Sequence, residues 1–239
     1  MNEFIPPDVY GQLHIKYILM GLAMWTIVPL IGKKILNNTQ RQVAVYLLVI
    51  LTLGQEIIND SSLMYQGLWK FSTDLPLHMC GFSLILTSWA LMSKKQEAFE
   101  LAFFWGIAGG SQAILTPDLT GIWNPFGIFI FFFSHSLVIL NVIWMIVVEG
   151  MRLRKNSFLN TVILTNGFAF IMTIFNSMVG SNYWYLCIKP LSNSPFLIGE
   201  WPFYIVGIQF VGIIMMGLIY IPWLLYFRRM TLQSDSTTA

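Results

Sequence analysis

Seven long apolar segments, separated by short polar stretches, constrain this chain more than any other feature. They lie near residues 17–31, 43–58, 77–92, 99–115, 126–148, 158–178 and 203–227 of a 239-residue sequence. A soluble domain carries about 25% charged residues, because its surface has to face water. Here charged residues make up 10% and hydrophobic ones 56%, and the mean hydropathy is +0.68. Most of the surface must therefore face lipid. In hydrocarbon an open strand leaves backbone groups unpaired, so each segment is predicted to be a helix. The expectation is an all-α polytopic membrane protein, a single domain over residues 1–239 with seven transmembrane helices.

The charges then predict an orientation. With the N-terminus outside and seven crossings, the inner loops hold Lys33, Lys34, Arg41, Lys94, Lys95, Arg152, Arg154, Lys155, Arg228 and Arg229. Those are ten of the thirteen basic residues. Lys16, Lys70 and Lys189 fall outside, together with Glu3, Asp8, Glu56, Asp60, Asp74, Asp118 and Glu200. This is the positive-inside pattern, and it predicts N-terminus out and C-terminus in the cytoplasm. Glu3 and Asp8 replace the basic start of a signal peptide, so the first segment is expected to stay as a helix. A net charge of +2, with no basic run longer than two residues, argues against a nucleic-acid partner.

Local signals mark the helix ends. Leu75-Pro76 and Asn124-Pro125 each put a proline where a helix is expected to begin, since the missing N–H has no partner in a first turn. Gly106, Gly109 and Gly110 predict close packing of the fourth span against a neighbour. Trp69, Trp123, Trp184 and Trp201 are expected at the outer interface.

Polar residues collect in the outer half. Cys80 lies four residues past Pro76, roughly 6 Å into its helix, and His135 ten past Pro125, roughly 15 Å in. Glu56, Gln112, Asp118 and Asn176 sit near the outer ends of their spans, whereas the inner half is apolar except for Asn141 and Asn166. Ionisable groups in a bilayer are expensive and point to function. His78 and Cys80 are two residues apart, about 200° around a helix, so they do not face each other. A base for Cys80 would have to come from His135, and a Cys/His pair is the minimum for acyl transfer through a thiolate. The estimated depths differ by roughly 9 Å on the rise per residue, which counts against the pair. Three other readings of Cys80 stay open: an inert buried thiol, a disulfide with Cys187, or a metal ligand alongside His78, His135 and Glu56.

These residues resemble the YwaF-like bacterial integral membrane proteins, which are related to eukaryotic transmembrane protein 164. The likeness rests on Leu75-Pro76-Leu77-His78-Met79-Cys80, Ser134-His135, Asn176, Gly180-Ser181-Asn182-Tyr183-Trp184-Tyr185-Leu186 with Lys189-Pro190, and Gly199-Glu200-Trp201-Pro202. The resemblance implies a multi-span helical fold and a lipid acyltransferase, with Cys80 as nucleophile and His135 as its histidine partner. His78, Asn182, Gln112 and Glu56 are then expected to bind substrate. Phospholipid and the bilayer are the expected partners, in the cell membrane, and no cofactor is expected. The competing class is a transporter, a ligand-binding protein or an assembly factor.

Overall fold

The computed structural model describes residues 8–119, 122, 124–189, 197 and 199–237. Its regular elements are α1 (Gln12–Lys34), α2 (Asn38–Tyr65), α3 (Met79–Ser93), α4 (Gln96–Leu115), α5 (Pro125–Val147), α6 (Ser157–Val179) and α7 (Phe203–Thr237). A short 3-10 turn, Tyr183–Tyr185, lies between α6 and α7. No strand occurs among the described residues. All of these helices except α3 are long and apolar enough to cross a membrane, which makes six. The third expected span, α3, has 15 residues, about 22 Å at 1.5 Å per residue and short of the roughly 30 Å hydrocarbon core. The polytopic all-helical class is as expected; the tally of crossings is six long helices plus one short one.

The caps explain where helices start and stop. Asn37 and Gln40 form a reciprocal capping box at α2, with bonds of 2.9 and 3.0 Å. Asn124 Oδ1 accepts from Gly127 N at 2.8 Å, and Pro125 occupies the first helical position of α5. Pro76 behaves differently: α3 begins only at Met79, with His78 as its N-cap. Residues 66–78 form an irregular loop instead.

α4 and α5 are the central helices. Phe99, Ala102, Phe104, Leu140, Val142, Trp144 and Met145 are buried where they meet their neighbours. A Cβ on Gly106 would come within 3.0 Å of Val138 Cγ1, and one on Gly110 within 2.9 Å of Ile139 Cγ1, so glycine lets the two helices approach. Gly109 faces open space. α4 also contains a π-helical turn, Trp105–Gly109, which widens the helix beside α5. The outer helices turn Leu19, Met20, Ile27, Ile163, Phe170 and Phe210 outward. That surface would be costly in water and is at home in lipid.

Polar ties gather the basic helix ends into one plane. Arg41 donates to Gly32 O and Lys33 O at 2.9 and 2.8 Å, closing the C-terminus of α1. Lys94 pairs with Glu149 at 2.6 Å. Arg154 grips the buried Glu100 through two bonds of 2.7 and 2.9 Å and reaches Glu97 at 3.1 Å. The polar residues of interest lie toward the opposite end.

Candidate active site

Two loops build the site. In the loop before α3, Lys70 N donates to Asp74 Oδ2 at 2.6 Å and Asp74 N to Lys70 O at 2.9 Å, forming a tight turn. The chain then folds back over the start of α3. A Cβ on Gly81 would lie 2.7–2.9 Å from Pro76 Cα, C and O, so only glycine lets Pro76 rest there. The loop after α6 holds this arrangement down. Tyr183, fully buried, donates its hydroxyl to Phe71 O at 2.6 Å and accepts from Leu75 N at 3.1 Å. Trp184 Nε1 donates to Leu77 O at 2.7 Å.

Asn176, itself buried, shapes the second loop. Its Nδ2 donates to Tyr183 O at 2.8 Å, and its Oδ1 accepts from Tyr183 N at 2.9 Å and Ser181 Oγ at 2.7 Å. Gly180, with φ 66°, turns the chain out of α6. Tyr204 OH donates to Tyr185 O at 2.6 Å and ties the loop to α7. The start of α3 is thus positioned by a chain of bonds reaching back to α6 and α7.

At that start, the thiol of Cys80 and the imidazole of His135 come close enough to interact side chain to side chain. His135 Nδ1 lies 2.7 Å from Phe131 O. A carbonyl oxygen only accepts, so Nδ1 carries the proton. In the neutral ring Nε2 is then the acceptor left for the thiol. The Phe131 ring packs on the imidazole with centroids 4.5 Å apart, and Ser134 Oγ donates to the same carbonyl at 3.0 Å. His135 is buried, whereas Cys80 is exposed. The expected depth difference counted α3 from Pro76, whereas the helix begins at Met79 and Cys80 stands in its first turn, so the rise per residue from Pro76 does not measure the separation of the pair.

Glu56 lies within electrostatic reach of both Cys80 and His135. His78 packs against the second loop, with its ring against Tyr183 at 5.0 Å and Tyr185 at 5.4 Å. Burial holds its imidazole below the ordinary histidine value, against the pull of Asp74. Two expected substrate-binding residues are engaged elsewhere. Asn182 donates to Ile188 O at 2.7 Å and accepts from Cys187 N and Ile188 N, both at 3.0 Å, so its amide folds the loop. Gln112 donates to Thr116 Oγ1 at 2.5 Å on its own helix. Cys80 and Cys187 are both free thiols, which removes the disulfide reading. Among the described residues no three His, Cys, Asp or Glu side chains converge as a metal site requires.

The family profile that matches this chain is the TMEM164 family, over residues 9–220. The chain belongs to the TMEM164 family. It is also similar to an uncharacterised protein of Treponema pallidum (strain Nichols), 24% identical over 222 residues, which span 90% of this chain and 89% of that one. No solved structure matches it. The region shared with the TMEM164 family contains every element of the site, from Glu56 to the loop around Tyr183. With its apolar helices, membership marks a multi-pass membrane protein.

Within this TMEM164-family site, sequence reasoning passed over Tyr183 and Trp184 as positioning groups. Trp184 was expected at the interface. Instead it packs edge-on against Trp105 at 5.5 Å and Phe82 at 6.3 Å. The Trp201 ring is exposed, in keeping with an interfacial place, and Trp123 lies outside the described residues. The available signal was Asn176 followed closely by Gly180, a helix exit with a polar side chain able to cap it.

Proposed function

We propose that the protein is a membrane-embedded, cysteine-dependent acyltransferase or transacylase acting on phospholipid acyl chains. The observation that carries this reading is the closeness of the Cys80 and His135 side chains, with Nδ1 already committed to Phe131 O. It gives a nucleophile and a base in the correct tautomer, with the thiol open to a substrate. His135 Nε2 takes the thiol proton, and the sulfur attacks the carbonyl carbon of a phospholipid ester. The carbonyl π pair moves to oxygen. When it returns, the ester C–O bond breaks and the leaving alkoxide takes the proton from His135. A lyso-phospholipid departs and a thioester on Cys80 remains. An acceptor hydroxyl, or water, reverses the steps with His135 again as base. Glu56 favours the imidazolium that forms transiently within each half-reaction, before the leaving group takes its proton.

We place this chemistry in the outer half of the cell membrane, with seven crossings, the N-terminus outside and the basic helix ends in the cytoplasm. Intact-mass spectrometry of purified wild type and Cys80→Ala after incubation with phospholipid tests the covalent step. A hydroxylamine-labile acyl adduct on the wild type alone supports it. No adduct with any acyl lipid, and a thiol inert to iodoacetamide, would sink it.

One feature favours the non-enzymatic reading. Asn141 donates to Thr52 Oγ1 at 2.9 Å and Thr87 Oγ1 at 3.4 Å deep in the core, while Asn141 Oδ1 and Gln55 Oε1 lack partners among the described residues. Such a polar string suits a solute path. Transport that survives Cys80→Ser would decide for it.

A further inference from the structure

Tyr185 combines four features that no other tyrosine here shares. Its backbone and that of Trp184 both lie in the left-handed region, with φ of 53° and 62°. Side-chain-bearing residues avoid that region unless neighbours enforce it, and enforced outliers gather at functional sites. The enforcing groups are visible: Asn176 grips Tyr183, Trp184 Nε1 is bonded to Leu77 O, and Tyr204 OH is bonded to Tyr185 O. A relaxed backbone at these two positions would send the Tyr185 ring elsewhere. Instead the ring lies against His78, two residues from the nucleophile, and within electrostatic reach of the Asp118 carboxylate and, more weakly, of the Cys80 thiol.

The phenol itself is the fourth feature. The neighbouring tyrosines each donate to a carbonyl: Tyr183 to Phe71 O and Tyr204 to Tyr185 O. Among the described residues the Tyr185 hydroxyl donates to nothing, although its ring is locked in place and the side chain is 42% exposed. A fixed donor without an acceptor, beside a nucleophile, is the arrangement that meets charge developing in a transition state.

We propose that the Tyr185 phenol is the hydrogen-bond donor to the oxygen that becomes negative when the Cys80 sulfur adds to an acyl carbonyl. This rests on the acyl-transfer reading. As the C–S bond forms, the carbonyl π pair moves to oxygen and Tyr185 O–H donates to it. As the pair returns and the ester C–O bond breaks, the hydrogen bond relaxes and the phenol keeps its proton. The donor is supplied by the loop between α6 and α7, whereas the nucleophile and base come from α3 and α5.

The test is Tyr185→Phe, which keeps the ring and the loop packing. Cys80 acylation is followed by intact mass in micelles containing a diacyl phospholipid, and Cys80 alkylation by iodoacetamide is followed in parallel. The expected result is acylation slowed at least about tenfold, toward the 10²–10³ seen when an oxyanion donor is removed, with alkylation within twofold of wild type. Equal acylation rates would overturn the proposal, leaving Tyr185 as an interfacial tyrosine. A parallel fall in alkylation would also overturn it, because Tyr185 would then act through the placement of Cys80 and His135. An absent adduct on the wild type itself would overturn the acyl-transfer reading and this inference with it.

Discussion

His135 serves as a base only while its proton stays on Nδ1, and Phe131 O keeps it there at 2.7 Å. His135→Gln retains polarity but cannot take up the thiol proton. Acylation of Cys80 should fall by about 10²–10⁴, the usual worth of a positioned general base. Iodoacetamide alkylation should slow as well, since the thiolate is the reacting form; unchanged alkylation would show that the thiol does not depend on His135. His78 gives a pH signature of a different kind. Its folded value lies below the ordinary 6.5, so as pH falls through about 6.5 the unfolded chain takes up a proton first. Stability drops there and levels off once pH passes below the depressed value. His78→Asn lacks this group and should lose less melting temperature than wild type between pH 7 and 5 (roughly the window in which an ordinary histidine titrates). Equal slopes in detergent would mean that His78 is not held neutral by burial.

At the scale of elements, the site depends on two loops pressed together. Gly81→Ala drives a methyl group into the Pro76 backbone, which cannot rotate aside as a side chain could. The expected cost is about 1–3 kcal/mol, as for an overpacked core, with loss of Cys80 acylation because the start of α3 shifts. Asn176→Ala strips partners from Tyr183 N, Tyr183 O and Ser181 Oγ at once. Each buried group left unsatisfied costs about 1–3 kcal/mol, so this variant should melt lower than Asn182→Ala, whose bonds to Cys187 and Ile188 in the same loop are more exposed. The reverse order in a thermal melt would show that the loop is held by packing alone. The fifth helix was legible down to its first residue, because Asn124-Pro125 is a cap and a first turn together. Pro76 looked like the same signal and was not, because the backbone continues three residues as a loop before Met79. A proline permits a helix start; it does not compel one.

At the scale of the molecule, the basic helix ends are joined by the Arg154–Glu100 grip. The two partners are unequal: Glu100 is buried and Arg154 is half exposed. Arg154→Ala leaves a carboxylate buried with little to balance it and should cost roughly 3 kcal/mol. Glu100→Ala leaves a cation that can turn to water, and should cost less. Equal losses in melting experiments would argue against that asymmetry. Orientation is testable on the same scale. In a background lacking Cys80 and Cys187, an impermeant maleimide should label Asp8→Cys but not Asn156→Cys on intact cells, and labelling of both or the reverse would refute the assignment. Membrane class, helix number to within one short span, and Cys80 and His135 as separate ionisable residues were all legible in the sequence. Apolar length and charge asymmetry act locally along the chain, and the two residues are the ionisable exceptions within it. Only the tertiary structure decided that Cys80 and His135 meet, that Asn182 folds a loop, and that Tyr183, Trp184 and Tyr185 pack against the loop leading into α3. Those outcomes depend on how deep each helix begins and where each loop folds back, and such heights are set by contacts between distant segments.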